Sequence, residues 1–331
     1  MSTIYDVARL ASVSPATVSR VLNERGDVNP ELAARVRHSV AMLGYRPNVV
    51  ARNLRRQVAA VWALIISDIE NPHFTSLVRG VEDVARATGH SVVLCNADED
   101  LDKERSYVDV ALAERMAGVL ISPASDRESA IAPLLEKGVP VVTIDRRLQS
   151  SPVNAVVVSN RLGAQEATTH LLANGYERIA CVTGPMRTTT AAQRLGGYRK
   201  ALSMAGVVAD RSLVQVADYK ESGGYAATRA LLDRDDPPDA LFVANGLMTM
   251  GALQCLQDCG IDVPNELGIV GFDDRPWARL LRPALTTVAQ PTYDLGRTAA
   301  QMLVDLVADP QAPVRTVTLP TTLVVRDSSR R

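Results

Sequence analysis

Ten short, almost wholly apolar runs separated by helix-patterned stretches do most to limit what this 331-residue chain can fold into. They read VWALIIS (61–67), SVVLCN (91–96), GVLISP (118–123), PVVTID (140–145), AVVVSN (155–160), RIACVTG (178–184), LVQVAD (213–218), ALFVAN (240–245), LGIVGFD (267–273) and LTTVAQ (285–290). Strands apolar along their whole length are covered on both faces, as in parallel sheets. Most are followed by an amphipathic stretch such as 74–89, where Phe74, Leu77, Val78, Val81 and Val84 share one helical face and Gly89 ends the helix. This alternation predicts parallel sheets flanked by helices. Ten strands exceed one comfortable sheet, so an α/β body of two doubly wound lobes is expected.

In such sheets ligands bind beyond the carboxyl ends of the strands. Polar and aromatic residues recur there: Asn71 with Phe74, Asp145 and Arg146, Asn160, Tyr219, Asn245, Asp273 and Gln290, with Arg194 opening a helix. Any one of them alone reads more readily as a cap or turn residue. Together they supply carboxylates, amides, guanidiniums and aromatic faces, the mixture a polyhydroxyl ligand needs.

Other functions find little support. The longest apolar run, 58–66, is too short to span a bilayer, and the first ten residues lack the apolar core of a signal peptide, so a cytoplasmic protein without membrane contact is expected. Cys95, Cys181, Cys255 and Cys259 lack metal or redox spacing and read as small buried hydrophobes. The acidic run Asp98, Glu99, Asp100 and Asp102 reads as a solvated loop, its spacing unlike a calcium loop. There is no dinucleotide fingerprint, phosphate loop or nucleophile elbow, and none of the four histidines stands beside a plausible nucleophile. No catalytic residue, cofactor or metal is expected.

The first 57 residues differ from the rest. They hold nine Arg, no Lys and four acids, a net +5 that leaves −6 for the remainder. A small basic head on an acidic body is the footprint of a phosphate-binding module. Within it Thr3 is placed to cap a helix with Ile4, Val7, Ala8 and Ala11 on one face. Ser14 and Pro15 open a second, with Val18, Val21 and Leu22 inward and Ala16, Thr17, Ser19, Arg20 and Asn23 outward. A third spans about 30–43, with Leu32, Val36, Val40 and Leu43 inward, and stops at Gly44. Three short helices with a tight turn between the first two make a helix-turn-helix, whose second helix enters the major groove. A short basic helix follows Pro47, with Leu54 apolar at its end.

The ordered motif IYDVARLASVSPATVSRVLN, followed by GYRPNVVARNL, resembles the LacI/GalR (lactose-repressor) family of transcription regulators. The resemblance implies a DNA-binding head over 1–46, a hinge helix over 47–57 that folds on DNA, and an effector-binding and dimerisation body over 58–331. The body would form an N-lobe of about 58–159 and 291–319 and a C-lobe of about 160–290 and 320–331, like periplasmic sugar-binding proteins. By matching position, Pro15, Ala16 and Arg20 would face bases. Thr3, Tyr5, Ser14, Thr17, Asn23 and Tyr45 would hold phosphates, and Leu54 and Arg55 would enter the minor groove. Pro15 and Ala16 offer no side-chain hydrogen bond, which shifts base reading onto Arg20.

In the body, Asn71, Phe74, Asp145, Arg146, Arg194, Tyr219, Asn245, Asp273 and Gln290 match the ligand pattern of ribose-binding proteins, with Tyr219 in place of a Phe. His73 stands where a second stacking Phe is usual, and Gly246 where an Asp is usual. The implied protein is a homodimeric repressor on a pseudo-palindromic operator, controlled allosterically by a ribose-like pentose or related sugar. A purine- or nucleoside-responsive repressor is the alternative, disfavoured because Thr188 replaces a basic residue. A stand-alone sugar-binding protein fits less well, given the basic head.

Overall fold

A computed structural model describes residues 2–22, 28–45 and 59–331. The chain separates into two compact units, 1–59 and 60–331.

In the first unit, α1 (Ile4–Ala11) starts at a reciprocal cap: the Asp6 amide donates to Thr3 Oγ1 at 3.3 Å and the Thr3 amide to Asp6 Oδ2 at 2.9 Å. Ser12, at φ 51°, ends it. α2 (Pro15–Leu22) starts where Ser14 Oγ accepts from the Thr17 amide at 3.1 Å, and α3 (Pro30–Met42) where Asn29 Oδ1 accepts from the Glu31 amide at 2.8 Å. Val7, Ala8, Ala11, Val18, Val21, Ala33 and Val36 fill the centre. Leu22, expected inward, is only half-buried, as are Leu32, Val40 and Leu43. Arg35 donates to the carbonyls of Ala11 and Ser12, tying α3 to the turn between α1 and α2.

The second unit holds two six-stranded sheets. Strands β1 (Ala59–Ile66), β2 (Ser91–Asn96), β3 (Met116–Ile121), β4 (Val141–Ile144), β5 (Asn154–Val158) and β11 (Thr316–Leu319) form the first, in the order β11-β5-β4-β3-β1-β2. Strands β6 (Ile179–Thr183), β7 (Val214–Val216), β8 (Ala240–Val243), β9 (Gly268–Phe272), β10 (Thr286–Ala289) and β12 (Thr322–Val324) form the second, in the order β12-β10-β9-β8-β6-β7. Pairing is parallel, as in β1 against β2 with Val61 opposite Ser91, but β12 runs antiparallel to β10. The chain passes between sheets after β5, β10 and β11. The two doubly wound lobes expected from the apolar runs are therefore present.

β11 and β12 are absent from the ten runs, for a physical reason. Each is an edge strand with no fully buried residue, and Thr316, Thr318 and Thr322 interrupt the apolar pattern that marks a covered strand.

Helices cover both sheets. α4 (His73–Ala87) buries Phe74, Leu77 and Val81 against α11 (Thr292–Ala308), which contributes Leu295, Ala299, Ala300 and Leu303. Val78 and Val84 are half-buried on the same cluster. The two helices touch backbone to backbone: a Cβ added at Gly296 would lie 2.0 Å from the Leu77 carbonyl oxygen. In the other lobe α7 (Asn160–Ala173) packs against α8 (Thr189–Met204), and α9 (Glu221–Leu232) against α10 (Gly246–Asp258). α5 (Leu101–Ala113) and the short α6 (Ala132–Glu136) lie on the first sheet. Cys95, Cys181 and Cys255 are buried, and Cys259 is half-buried.

Candidate functional site

Both sheets point their carboxyl ends into one cleft. Asp68 lies just beyond β1, Glu99 beyond β2, and Asp145 and Arg146 beyond β4. From the second sheet come Tyr219 beyond β7, Asn245 beyond β8, Asp273 beyond β9 and Gln290 beyond β10. Asn71, His73 and Phe74 enter at the start of α4, and Thr190 and Arg194 on α8. Every effector residue expected from the sequence is therefore in one place, while Asp68, Glu99 and Thr190 are additions.

Local backbone conformation aims several of these groups. Glu99, Asp145, Tyr219 and Asp273 have φ of 59°, 66°, 67° and 76°, in the left-handed region. Such a residue costs on the order of 1–3 kcal/mol and concentrates at functional sites. Asp tolerates it, whereas a bulky Tyr is a true outlier.

Arg146 is held by Glu99 in a two-pronged pair, Nη1 to Oε2 at 2.7 Å and Nη2 to Oε1 at 2.5 Å, and also donates to the Pro123 carbonyl at 3.0 Å. Burial opposes the guanidinium's charge, but Glu99 outweighs this and raises its pKa. The acidic run is thus not simply a solvated loop. Asp100 caps α5 and Asp98 binds Lys103, but Glu99 turns inward. Its signal lay in no residue pattern, because two successive left-handed residues, Asp98 and Glu99, redirect it.

Arg194 donates from Nε to Asn160 Oδ1 and from Nη1 to the Ala244 carbonyl, both at 2.7 Å, and its Cζ lies 3.8 Å from the Phe272 ring centre. Asn160 thereby positions Arg194. Tyr219 is also fixed: its hydroxyl meets Thr188 at 3.2 Å and Thr190 at 3.0 Å, while its ring packs on Gly184 and under Arg146. Asn71 accepts from the His73 amide and Asn245 caps α10, each at 3.0 Å. Both therefore fill the structural role that a turn reading gives them, on the wall of the cleft. The Gly246 amide donates to Asp273 Oδ2 at 3.0 Å, and a Cβ there would sit 3.3 Å from that oxygen. An Asp at 246 would crowd that carboxylate.

Burial alone would raise the Asp145 carboxyl, but His73 beside it, with Arg146 and Arg194, holds it at about 2. Burial is likewise outweighed at Asp273, where His73, Arg194, Arg275 and the Gln290 amide lower it. Five buried polar atoms in the cleft have no hydrogen-bond partner: both His73 ring nitrogens, Asp145 Oδ1, Arg146 Nε and Gln290 Oε1. Buried groups of this kind are normally satisfied, so their convergence marks the cleft as a candidate binding site for a polar group. The walls stand close, leaving about 20 Å³ for the centre of a water molecule. The two lobes face each other across this space. They meet through Lys220 Nζ to Asp68 Oδ2 at 2.7 Å and Arg187 Nη2 to the Glu99 carbonyl at 3.0 Å.

In the first unit, Tyr5 is 69% exposed, and Thr3, Ser14, Ala16 and Arg20 also face outward. Pro15 and Thr17 are half-buried, and Tyr45 packs partly on the helical core. Thr3 and Ser14 serve as helix caps. Asn23, Leu54 and Arg55, with the hinge helix, lie outside the described residues. Among the described residues no cluster of His, Cys, Asp or Glu is arranged to hold a metal, and no helix is long and apolar enough to cross a membrane.

Residues 3–48 match the bacterial regulatory proteins, lacI family, and residues 168–329 the periplasmic binding protein-like domain. A ribose operon repressor of Halalkalibacterium halodurans is 36% identical over 100% of this chain and 98% of its own. The chain belongs to the LacI family. Two solved structures place this LacI-family chain further. A CelR regulator in complex with cellobiose is 33% identical, with TM-score 0.76, over 99% of this chain and 100% of its own. A Lac repressor dimer bound to operator and an anti-inducer is 29% identical, with TM-score 0.89, over 100% and 99%.

Proposed function

We propose that this LacI-family protein is a transcriptional repressor whose grip on its operator is loosened by a small sugar, a ribose-like pentose. The observation that carries the reading is the set of unpartnered buried polar atoms in the cleft, supplied by both lobes beside the Phe74 ring. A sugar hydroxyl donates to one group and accepts from another. Asp145 and Asp273 act as acceptors for sugar hydroxyls, and Arg146 and Arg194 as donors. Asn71, Asn245 and Gln290 complete the polar ring, and Phe74 covers a C–H face. A nucleobase needs flat stacking on both faces, but the Tyr219 ring is covered by Gly184 and Arg146, and Thr188 is a neutral helix cap.

A dimer would present two heads to a pseudo-palindromic operator in the cytoplasm. Arg20 reads a base edge, most readily guanine, while Pro15 and Ala16 make apolar contact, for instance with a thymine methyl. Thr3, Tyr5, Ser14, Thr17, Asn23 and Tyr45 hold the backbone, and Leu54 and Arg55 enter the minor groove. The sugar changes how the lobes meet, and through the hinge the minor-groove contact weakens. The residues have binding roles and none is assigned a catalytic one.

Footprinting on the DNA upstream of its own gene, with and without D-ribose and related sugars, tests this reading. The expected result is a protected near-palindrome that fades with sugar. Absence of protection would remove the repressor assignment, and protection indifferent to every sugar would remove the effector assignment.

A further inference from the structure

One side chain in the cleft is poorly served by the protein itself. His73 is 3% exposed, and neither ring nitrogen has a hydrogen-bond partner. Nε2 lies 3.4 Å from Asp145 Oδ1 and Nδ1 lies 3.8 Å from Asp273 Oδ1, one carboxylate from each lobe. These distances allow attraction, yet Asp145 Oδ1 is itself without a partner. Asp273 is already engaged by Gln290 and the Gly246 amide. The ring meets Phe74 edge-on, at 5.1 Å and 88°, so it does not extend the aromatic wall. A buried imidazole and a buried carboxylate oxygen side by side, both unsatisfied, carry a desolvation cost that a bridging hydroxyl removes.

We propose that His73 is the specificity-determining residue of this cleft: it reads one particular hydroxyl of the sugar, which His73 and Asp145 hold between them. The inference rests on the pentose reading above and adds a consequence. A site built to hydrogen-bond a hydroxyl rejects the analogue lacking it far more strongly than an apolar wall does. An analogue missing that hydroxyl leaves both groups unpaired, whereas loss of any other hydroxyl leaves this pair satisfied.

Calorimetric titration of the full chain with D-ribose and its 2-deoxy, 3-deoxy and 5-deoxy analogues tests the proposal. Wild type should bind one of these analogues at least about tenfold more weakly than the other two. In His73→Phe that one ratio should collapse toward unity while the ratios for the other two stay put. His73→Gln, which keeps a donor and an acceptor, should retain part of it. Each ratio is read within one variant, so a general weakening does not mimic the effect, and the Gln variant serves if the Phe variant fails to fold. Equal weakening toward all four sugars, or unchanged ratios, would overturn the role of His73 and leave the pentose reading standing. Failure of wild type to bind D-ribose or any analogue would overturn both.

Discussion

Truncating Glu99 to Ala should do more damage than its place in an acidic loop implies. The carboxylate gives Arg146 two charge-assisted hydrogen bonds, at 2.7 and 2.5 Å, and the paired side chains are only 10% and 6% exposed. Without Glu99 the guanidinium keeps one protein acceptor, the Pro123 carbonyl at 3.0 Å. Leaving one member of a buried pair behind costs about 3–5 kcal/mol. Taking the lower end, the melting temperature should fall by roughly 6–12 °C. Asp145 Oδ2 lies 3.8 Å from Arg146 Nε, so the freed guanidinium should swing toward it and occupy a ligand acceptor. D-ribose binding should weaken although Glu99 need not touch the sugar. Adding Arg146→Met should restore more than half of the lost stability, because it removes the stranded buried charge that makes up most of the cost. It should not restore binding. Urea denaturation of the four members of the cycle measures these energies. A Glu99→Ala cost below about 1 kcal/mol, the range of exposed pairs, would refute the reasoning. So would a double variant no better than the single one.

Other perturbations act elsewhere in the molecule. The Asp145 carboxyl titrates near 2 in the folded chain against about 3.9 unfolded. Its contribution is therefore complete above about pH 4 and lost as pH falls toward 2, so the stability gap between wild type and Asp145→Asn should shrink over that window in acid titrations followed by circular dichroism. Gly296→Ala sets a Cβ 2.0 Å from the Leu77 carbonyl oxygen and should cost roughly 1–3 kcal/mol in denaturant melts by prising α11 from α4. Arg20→Ala should weaken operator binding by about 1–3 kcal/mol while leaving non-specific DNA binding nearly unchanged in filter-binding or anisotropy titrations.

Much of this architecture is legible in the residue order because covered strands cannot disguise themselves: Trp62 to Ile66 are apolar on both faces and buried on both. The edge strands Thr316–Leu319 and Thr322–Val324 hold no fully buried residue, so the same criterion passes over them. The cleft is legible for a similar reason, since Asp145, Asn245 and Asp273 directly follow recognisable strands. Glu99 escapes because its orientation comes from left-handed backbone in a loop, and Asp68 because its partner Lys220 is 152 positions away. Tyr219 was legible as an aromatic of the site, but its packing under Arg146 depends on Gly184 leaving room for the ring. In the head, caps at Thr3 and Ser14 declare the first two helices, whereas Arg35 counts as one more basic charge until its bonds to Ala11 and Ser12 are seen.

The central claim is that cleft and head are thermodynamically linked. It is tested most directly by the dissociation constant for D-ribose, measured calorimetrically on the full chain alone and saturated with an operator duplex. With two equivalent clefts on the operator-bound dimer, linkage requires that saturating sugar weaken operator binding by the square of the factor by which the operator weakens sugar binding at each cleft. A factor of about 5–150 is expected at each cleft, and its square on the operator. An identical sugar affinity with and without operator would contradict it.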